Sequence, residues 1–181
     1  LSADYIRDRI KRTTYLTKKL RFVLTDEHGV VKEYYSENGI SDLVTDQTNE
    51  LAESIKLEQE KHGNFDYQPN FFENHIRAEG SDEHSSFDIC FNYINSYFKP
   101  NVLSFTNNIY TELGGTHVRG FENALKTSLI NWATAKGKIK TVFNIEDILE
   151  GMNAVISYST QDPKFSDQTK KKLSYGEAQK L

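Results

Sequence analysis

Near its C-terminal end the chain reads Asp162-Pro-Lys-Phe-Ser-Asp-Gln-Thr-Lys170 and runs on into Lys171 and Lys172. Gln168, Thr169 and Lys170 bring an amide, a hydroxyl and an ammonium into one short loop, and such a loop can reach a phosphate. Lysine suits that task as a compact point charge on a flexible stem. The same residues also make an ordinary solvated, lysine-rich turn, and both readings stand at this level. A second segment, Asn107-Asn-Ile-Tyr-Thr-Glu-Leu-Gly-Gly-Thr-His-Val-Arg-Gly-Phe121, sets paired glycines before a helix start. Gly114 and Gly115 either leave backbone N–H groups open to an anion or carboxylate, or only make the turn that Thr116 caps.

Other chemistries lack their residues. There is no G-x-x-x-x-G-K-[ST] phosphate loop, no H-E-x-x-H and no C-x-x-C. His28, His62, His75, His84 and His117 are scattered among turns and element ends without ligand spacing, so no metal site is expected. Cys90 is the only cysteine, in a strand pattern that packing explains; it is not read as a nucleophile. One thiol excludes an internal disulfide and points to a reducing compartment. The net charge is −4, whereas a free-standing nucleic-acid binder carries a basic balance, so any DNA contact must be local or shared with other domains.

The elements that would position these segments follow from periodicity. Ser2 caps a helix with Ile6, Ile10, Thr13 and Leu16 on one side. Leu20–Thr25 and Val30–Tyr35 read as a hairpin around the turn Asp26-Glu-His-Gly29. Gly39–Val44 opens a short helix, and the charged stretch from Thr48 to Gly63 reads as a surface helix or an insertion. Phe71–Arg77 is a plausible strand before a turn at Gly80–Glu83. Phe87–Tyr93 reads as a half-buried antiparallel strand, with Phe87, Ile89, Phe91 and Tyr93 on one face and Asp88 and Asn92 on the other, and Asn101–Thr106 is expected to pair with it. Val118, Phe121, Leu125, Leu129 and Trp132 form the stripe of the best helix, closed by Gly137 in a left-handed cap. Ala154–Tyr158, apolar on both faces, reads as the central strand. The order implies an α+β fold, a sheet with helices on one face.

No apolar run approaches the roughly 20 residues of a bilayer span, and the charged, helix-like Leu1–Leu20 is no signal peptide. The chain begins without Met and stops in the helix-forming run Gly176–Leu181, so a soluble, cytoplasmic piece of a longer polypeptide is expected.

Together, in order and spacing, these segments resemble the second, or transducer, domain of the ATPase subunit of bacterial type IIA DNA topoisomerases, the gyrase B and topoisomerase IV B family. The resemblance rests on Ser104-Phe-Thr-Asn-Asn-Ile109, Gly114-Gly-Thr-His117 and Gly120-Phe121. It continues through Glu146-Asp-Ile-Leu-Glu-Gly151, Ala154-Val-Ile-Ser157 and Asp162–Lys170. Tyr15–Arg21 and Glu37–Ile40 agree more loosely. The match is strong from Phe87 to Leu173 and weak from Thr48 to Ser86. Residues 1–181 are therefore expected to be one transducer segment in which 48–86 is divergent or inserted.

The resemblance implies the fold of a ribosomal protein domain (domain two of small-subunit protein S-five), built around a left-handed βαβ crossover against the usual hand. It implies an upstream ATP-binding domain of the histidine-kinase, Hsp90 and MutL type. Gln168 and Lys170 would touch the γ-phosphate of ATP in that domain, with Thr169 holding the loop. Lys170 would act by electrostatic stabilisation. ATP and Mg²⁺ would be held mainly by the missing domain, leaving this chain without a cofactor and inactive alone. Implied partners of the whole enzyme are double-stranded DNA, a second copy of the B-type ATPase chain and an A-type cleavage chain, in the cytoplasm at the nucleoid. Burial of Gln168–Lys170 in the chain's own sheet would exclude the role.

One position departs from the family. Many members carry a basic residue directly after the Gly-Phe pair on the face toward DNA; here it is Glu122, with Lys126 and Arg119 nearby. The alternative of another class is a non-enzymatic nucleic-acid-binding module on a ribosomal-type fold, opposed by the acidic balance and the lack of an aromatic and basic stripe. A mismatch-repair transducer is the third reading, opposed by the pairing of Gly-Gly-Thr-His with Gln-Thr-Lys.

Overall fold

The computed structural model describes residues 2–72, 74–94, 99–137 and 143–180. The chain divides into two compact units, Leu1–Pro69 and Asn70–Leu181. The stretch 48–86 contributes to both, supplying the end of a helix to the first and the edge strand of a sheet to the second.

In the first unit, helix α1 spans Ala3–Leu16, and the Ser2 hydroxyl accepts the Tyr5 N–H at 3.2 Å as its cap. Strands β1 (Phe22–Thr25) and β2 (Val31–Tyr34) pair antiparallel, Phe22 opposite Tyr34. Asp26 closes their turn by accepting the His28 and Val30 N–H groups on Oδ1, each at 2.9 Å. Helix α2 then runs from Ile40 to Lys61 without a break. The expected short helix and the charged stretch read as a surface helix or an insertion are thus one helix, because Ile40, Leu43, Val44, Gln47 and Ile55 share a buried face that continues through the polar stretch. Gly39 has no side chain to cap α2. Ser36 and Asn38 instead hydrogen-bond the Asp42 carboxylate in its first turn, at 2.7 and 2.9 Å. The Tyr15 hydroxyl donates to Asp46, tying α1 to α2.

The second unit holds a five-stranded sheet in the order β3-β4-β7-β5-β6. Its strands are β3 (Ile76–Ser81), β4 (Ser85–Tyr93), β5 (Asn101–Thr106), β6 (Ile109–Tyr110) and β7 (Met152–Thr160). Of the strand expected over 71–77, Phe71 makes only a bridge to Ile94; Glu73 lies outside the described residues. The expectation that β5 pairs with β4 is corrected here. β7 lies between them, antiparallel to β4 and parallel to β5, with Leu103 opposite Val155. The reason is burial: from Met152 to Ile156 every residue of β7 is buried, so this strand takes the centre.

Helix α3 (Thr116–Ala135) connects β5 and β6 to β7 through the short helix α4 (Ile145–Leu149). Val118, Phe121 and Leu125 pack on Ile89, Phe91, Met152, Ala154 and Ile156, and the Phe91 and Phe121 rings meet edge to face at 5.5 Å. The stripe does not reach its expected end, since Trp132 is 56% exposed. Gly137 does take the left-handed conformation, φ 63°. A single 3₁₀ turn, Gly176–Gln179, stands where the C-terminal run suggested helix. It packs on α3, and Ala178 O would lie 2.7 Å from a Cβ at Gly120. No described helix is long and apolar enough to cross a membrane.

Candidate functional site

The two segments singled out by their residue types meet in space. Leaving β7, the chain makes a loop that returns along itself, Phe165 bridging antiparallel to Leu173, and Leu173 in turn bridging parallel to Gly115. The base is stapled on both sides. Ser166 N–H donates to Lys172 O at 3.0 Å and Ser174 N–H to Lys164 O at 2.7 Å. Toward α3, Leu173 N–H donates to Gly114 O at 3.0 Å, Thr116 N–H to Leu173 O at 3.1 Å and Leu113 N–H to Lys171 O at 2.9 Å. Phe165, Leu173 and Tyr175 pack with Tyr158 and Ala178 beneath.

This arrangement decides the role of the paired glycines. Gly115 occupies the N-cap of α3 at φ 144°, and a Cβ there would stand 2.3 Å from Leu173 O. The donor at the start of the helix is taken by the chain's own loop, so the glycines permit a close backbone approach rather than an open anion site. The expected Thr116 cap is likewise corrected: Thr116 is the first helical residue, and its Oγ1 is buried without a partner.

At the tip, Gln168, Thr169 and Lys170 are all exposed. Asp167, which residue typing passed over, organises the turn. It accepts the Thr169 N–H at 2.8 Å on the carboxylate oxygen that also takes the Thr169 hydroxyl, and its carbonyl accepts Lys170 N–H at 3.3 Å. The Thr169 hydroxyl, then its N–H, hold the Asp167 carboxyl below the usual carboxylate range. The Asp-x-Thr spacing is the signal that could have found it. Lys170 has φ 58°, a left-handed conformation unusual for a residue with a side chain. Its Nζ lies 5.8 Å from the Phe165 ring centroid and has no carboxylate partner among the described residues. Lys171, by contrast, is paired to Glu112 at 2.8 Å. Of the two neighbours, only Lys171 has a carboxylate partner among the described residues.

Asn107 positions the strand from which the loop departs. With Asn108 it forms the two-residue β5–β6 turn, φ 49° and 62°. Its side chain extends the ladder, Nδ2 donating to Thr160 O and Oδ1 accepting Thr160 N–H, both at 2.9 Å. Asn107→Gly keeps the left-handed backbone at no steric cost and deletes both bonds. It should lower stability by about 2 kcal/mol, measured by urea denaturation; a loss under about 0.5 kcal/mol would show that the side chain contributes nothing.

His117 is 3% exposed, with Nε2 3.3 Å from the Thr111 hydroxyl, and burial lowers its pKa to about 4. Among the described residues no cluster of His, Cys, Asp or Glu could hold a metal ion. Glu122 is half-buried on α3, and burial raises its pKa against the opposing pull of Arg119.

The fold of this chain superposes on solved ATPase regions of gyrase B and of topoisomerase II. The 43K ATPase domain of Thermus thermophilus gyrase B superposes with a TM-score of 0.76 at 24% identity, over 99% of this chain and 44% of that one. The ATPase region of Saccharomyces cerevisiae topoisomerase II superposes with a TM-score of 0.56 at 15% identity, over 97% and 37%. The sequence model of DNA gyrase B matches residues 37–181, and the chain belongs to the DNA gyrase B family. It is 34% identical to the type 2 topoisomerase B protein of Aquifex aeolicus, over 94% of this chain and 20% of that protein. It is also 34% identical to the DNA gyrase B protein of Eisenibacter elegans, over 97% and 35%. The chain thus spans about a third or less of these two relatives' length. The reading as a ribosomal-type nucleic-acid module gains nothing from these matches.

Proposed function

We propose that this chain is the transducer region of the B-type ATPase chain of a type II DNA topoisomerase, and that Gln168 and Lys170 report the γ-phosphate of ATP bound by the preceding domain. The sheet-bearing unit, Asn70–Leu181, carries the loop, and the resemblance gives it the ribosomal-type fold with a left-handed crossover. One observation carries the reading: Lys170, without a carboxylate partner among the described residues, sits on an exposed turn whose base is hydrogen-bonded on both sides. That fits an anion brought by another domain. ATP supplies the phosphoryl chemistry; this chain's share is a positioned charge and an amide donor. The general base and the Mg²⁺ ligands belong to the ATP-binding domain, so the chain alone neither binds ATP appreciably nor hydrolyses it.

Coupling follows from the same contact. Lys170 meets the γ-phosphate only while it is present, so the loop has different interaction energy in the ATP and ADP states, which a population shift requires. In the whole enzyme that shift would rotate the two domains together, and two B-type chains would close on a DNA segment for passage through the A-type partner. Both gyrase and topoisomerase IV fit this scheme.

Lys170→Ala in the full-length protein should lower ATP turnover at least tenfold with an unchanged melting temperature, because the side chain supports no internal contact beyond Phe165. Turnover within twofold of the wild type would remove the assignment.

A further inference from the structure

Between α3 and the sheet lies a cavity of about 270 Å³. Ile89, Phe91, Phe121, Leu125 and Ile156 give it hydrocarbon walls. Ile76, 52% exposed, and the exposed Ala124 and Ser128 place its mouth between the edge strand β3 and α3.

Apart from Ser128 at the mouth, polar side chains line it at His117 and Tyr158 only. His117 and Tyr158 stack with ring centroids 6.2 Å apart and are 3% and 1% exposed. His117 Nδ1 and Tyr158 Oη are both buried with no hydrogen-bond partner among the described residues. The chain's own network stops short of them: Thr111 Oγ1 reaches His117 Nε2 but leaves the other ring nitrogen bare. Buried polar atoms are rarely left so, and two beside one cavity call for a partner.

We propose that this cavity binds a small, flat, mostly apolar molecule carrying one hydrogen-bonding group, of the phenol or indole class. The volume suits a one- or two-ring compound. The Phe91 and Phe121 rings offer edges and faces to an aromatic guest. A hydrocarbon would leave both orphaned atoms bare. Water needs several polar partners each, and away from Ser128 at the mouth only these two side chains are offered. A peptide segment would bring backbone groups that hydrocarbon walls cannot satisfy. The inference is independent of the phosphate-reading role of Lys170, since no loop-tip residue lines the cavity.

The test is titration of the 181-residue chain with indole, followed by saturation-transfer NMR, with benzene as the probe lacking a polar atom. Indole should bind saturably with a Kd of about 0.1–1 mM, and benzene at least about fivefold more weakly. Tyr158→Phe should narrow that difference to less than about twofold, isolating the hydrogen bond. Ser128→Phe and Ala124→Phe, at exposed helix positions by the mouth, should abolish binding while the melting temperature is kept. No saturable binding to the wild type would overturn the proposal, leaving a cavity that holds water or nothing. Equal affinities for indole and benzene, or unaltered affinity in both mouth variants, would overturn it as well.

Discussion

Gly115→Ala should destabilise the sheet-bearing unit by about 3–5 kcal/mol, more than any other single change at the loop base. Three costs arise together. The backbone sits at φ 144°, which a residue with a Cβ adopts only under strain. The new methyl would stand 2.3 Å from Leu173 O and 2.6 Å from Leu173 N, both backbone atoms in a stapled segment with no freedom to swing aside. Relief therefore means moving Leu173 away and breaking the Leu173–Gly114 and Thr116–Leu173 hydrogen bonds. Leu173 would also leave its contacts with Tyr158 and Ala178. Urea denaturation gives the magnitude, and amide exchange locates it, with protection lost first at Leu173 and Thr116. The neighbouring Gly114→Ala is an internal control. There the new Cβ meets only the tip of Val118, 3.3 Å away, and the cost should be about 1–2 kcal/mol, mainly for φ 63°. Equal losses at the two glycines would show that the close approach to Leu173 is not what position 115 requires.

Acid should act through His117 before it reaches Asp82 and Asp167. Burial holds this imidazole neutral and lowers its pKa from 6.5 to about 4. Between those values the unfolded chain takes up a proton that the folded chain refuses. Stability is therefore full above about pH 6.5, falls as pH drops through the window, and has lost the whole contribution by pH 4. At about 1.4 kcal/mol for each pH unit, the loss approaches about 3 kcal/mol. Asp82 and Asp167 have pKa values held down by hydrogen bonds and lose their contributions at lower pH, outside this window. The measurement is urea denaturation at half-unit steps from about pH 7.5 to about pH 4, in the wild type and in His117→Gln. The difference between the two profiles should slope through the window and level off above it. Parallel profiles would mean that the ring accepts its proton in the folded state.

Much of this protein is written in residue order. The shared face of Phe87, Ile89, Phe91 and Tyr93, the Val118–Phe121–Leu125 stripe and the Asp26–Gly29 turn need only neighbours to specify them, because side-chain period and turn chemistry are local properties; the expected half-burial of that strand is corrected, since Cys90 and Asn92 on its other face are buried as well. The outward loop was legible too, as Gln168–Lys170 carry nothing that could be buried. The family signature Ser104–Ile109 was readable as a pattern, while its physical purpose was not. Asn107 serves a ladder bond to Thr160, 53 residues away.

Tertiary structure alone decided who pairs with whom. β4 and β5 are adjacent in sequence, yet β7 enters between them after α3, because the strand that is buried at every residue from Met152 to Ile156 takes the centre. α2 continued through its charged stretch because Leu51 and Ile55 extend a buried face begun at Ile40, a continuity that local polarity hid. The role of Gly115 and the neutral state of His117 were likewise decided at a distance. The first depends on where Leu173 returns, the second on how completely α3 and the sheet exclude water. Both are set by contacts between segments whose sequence separation carries no signal of their meeting.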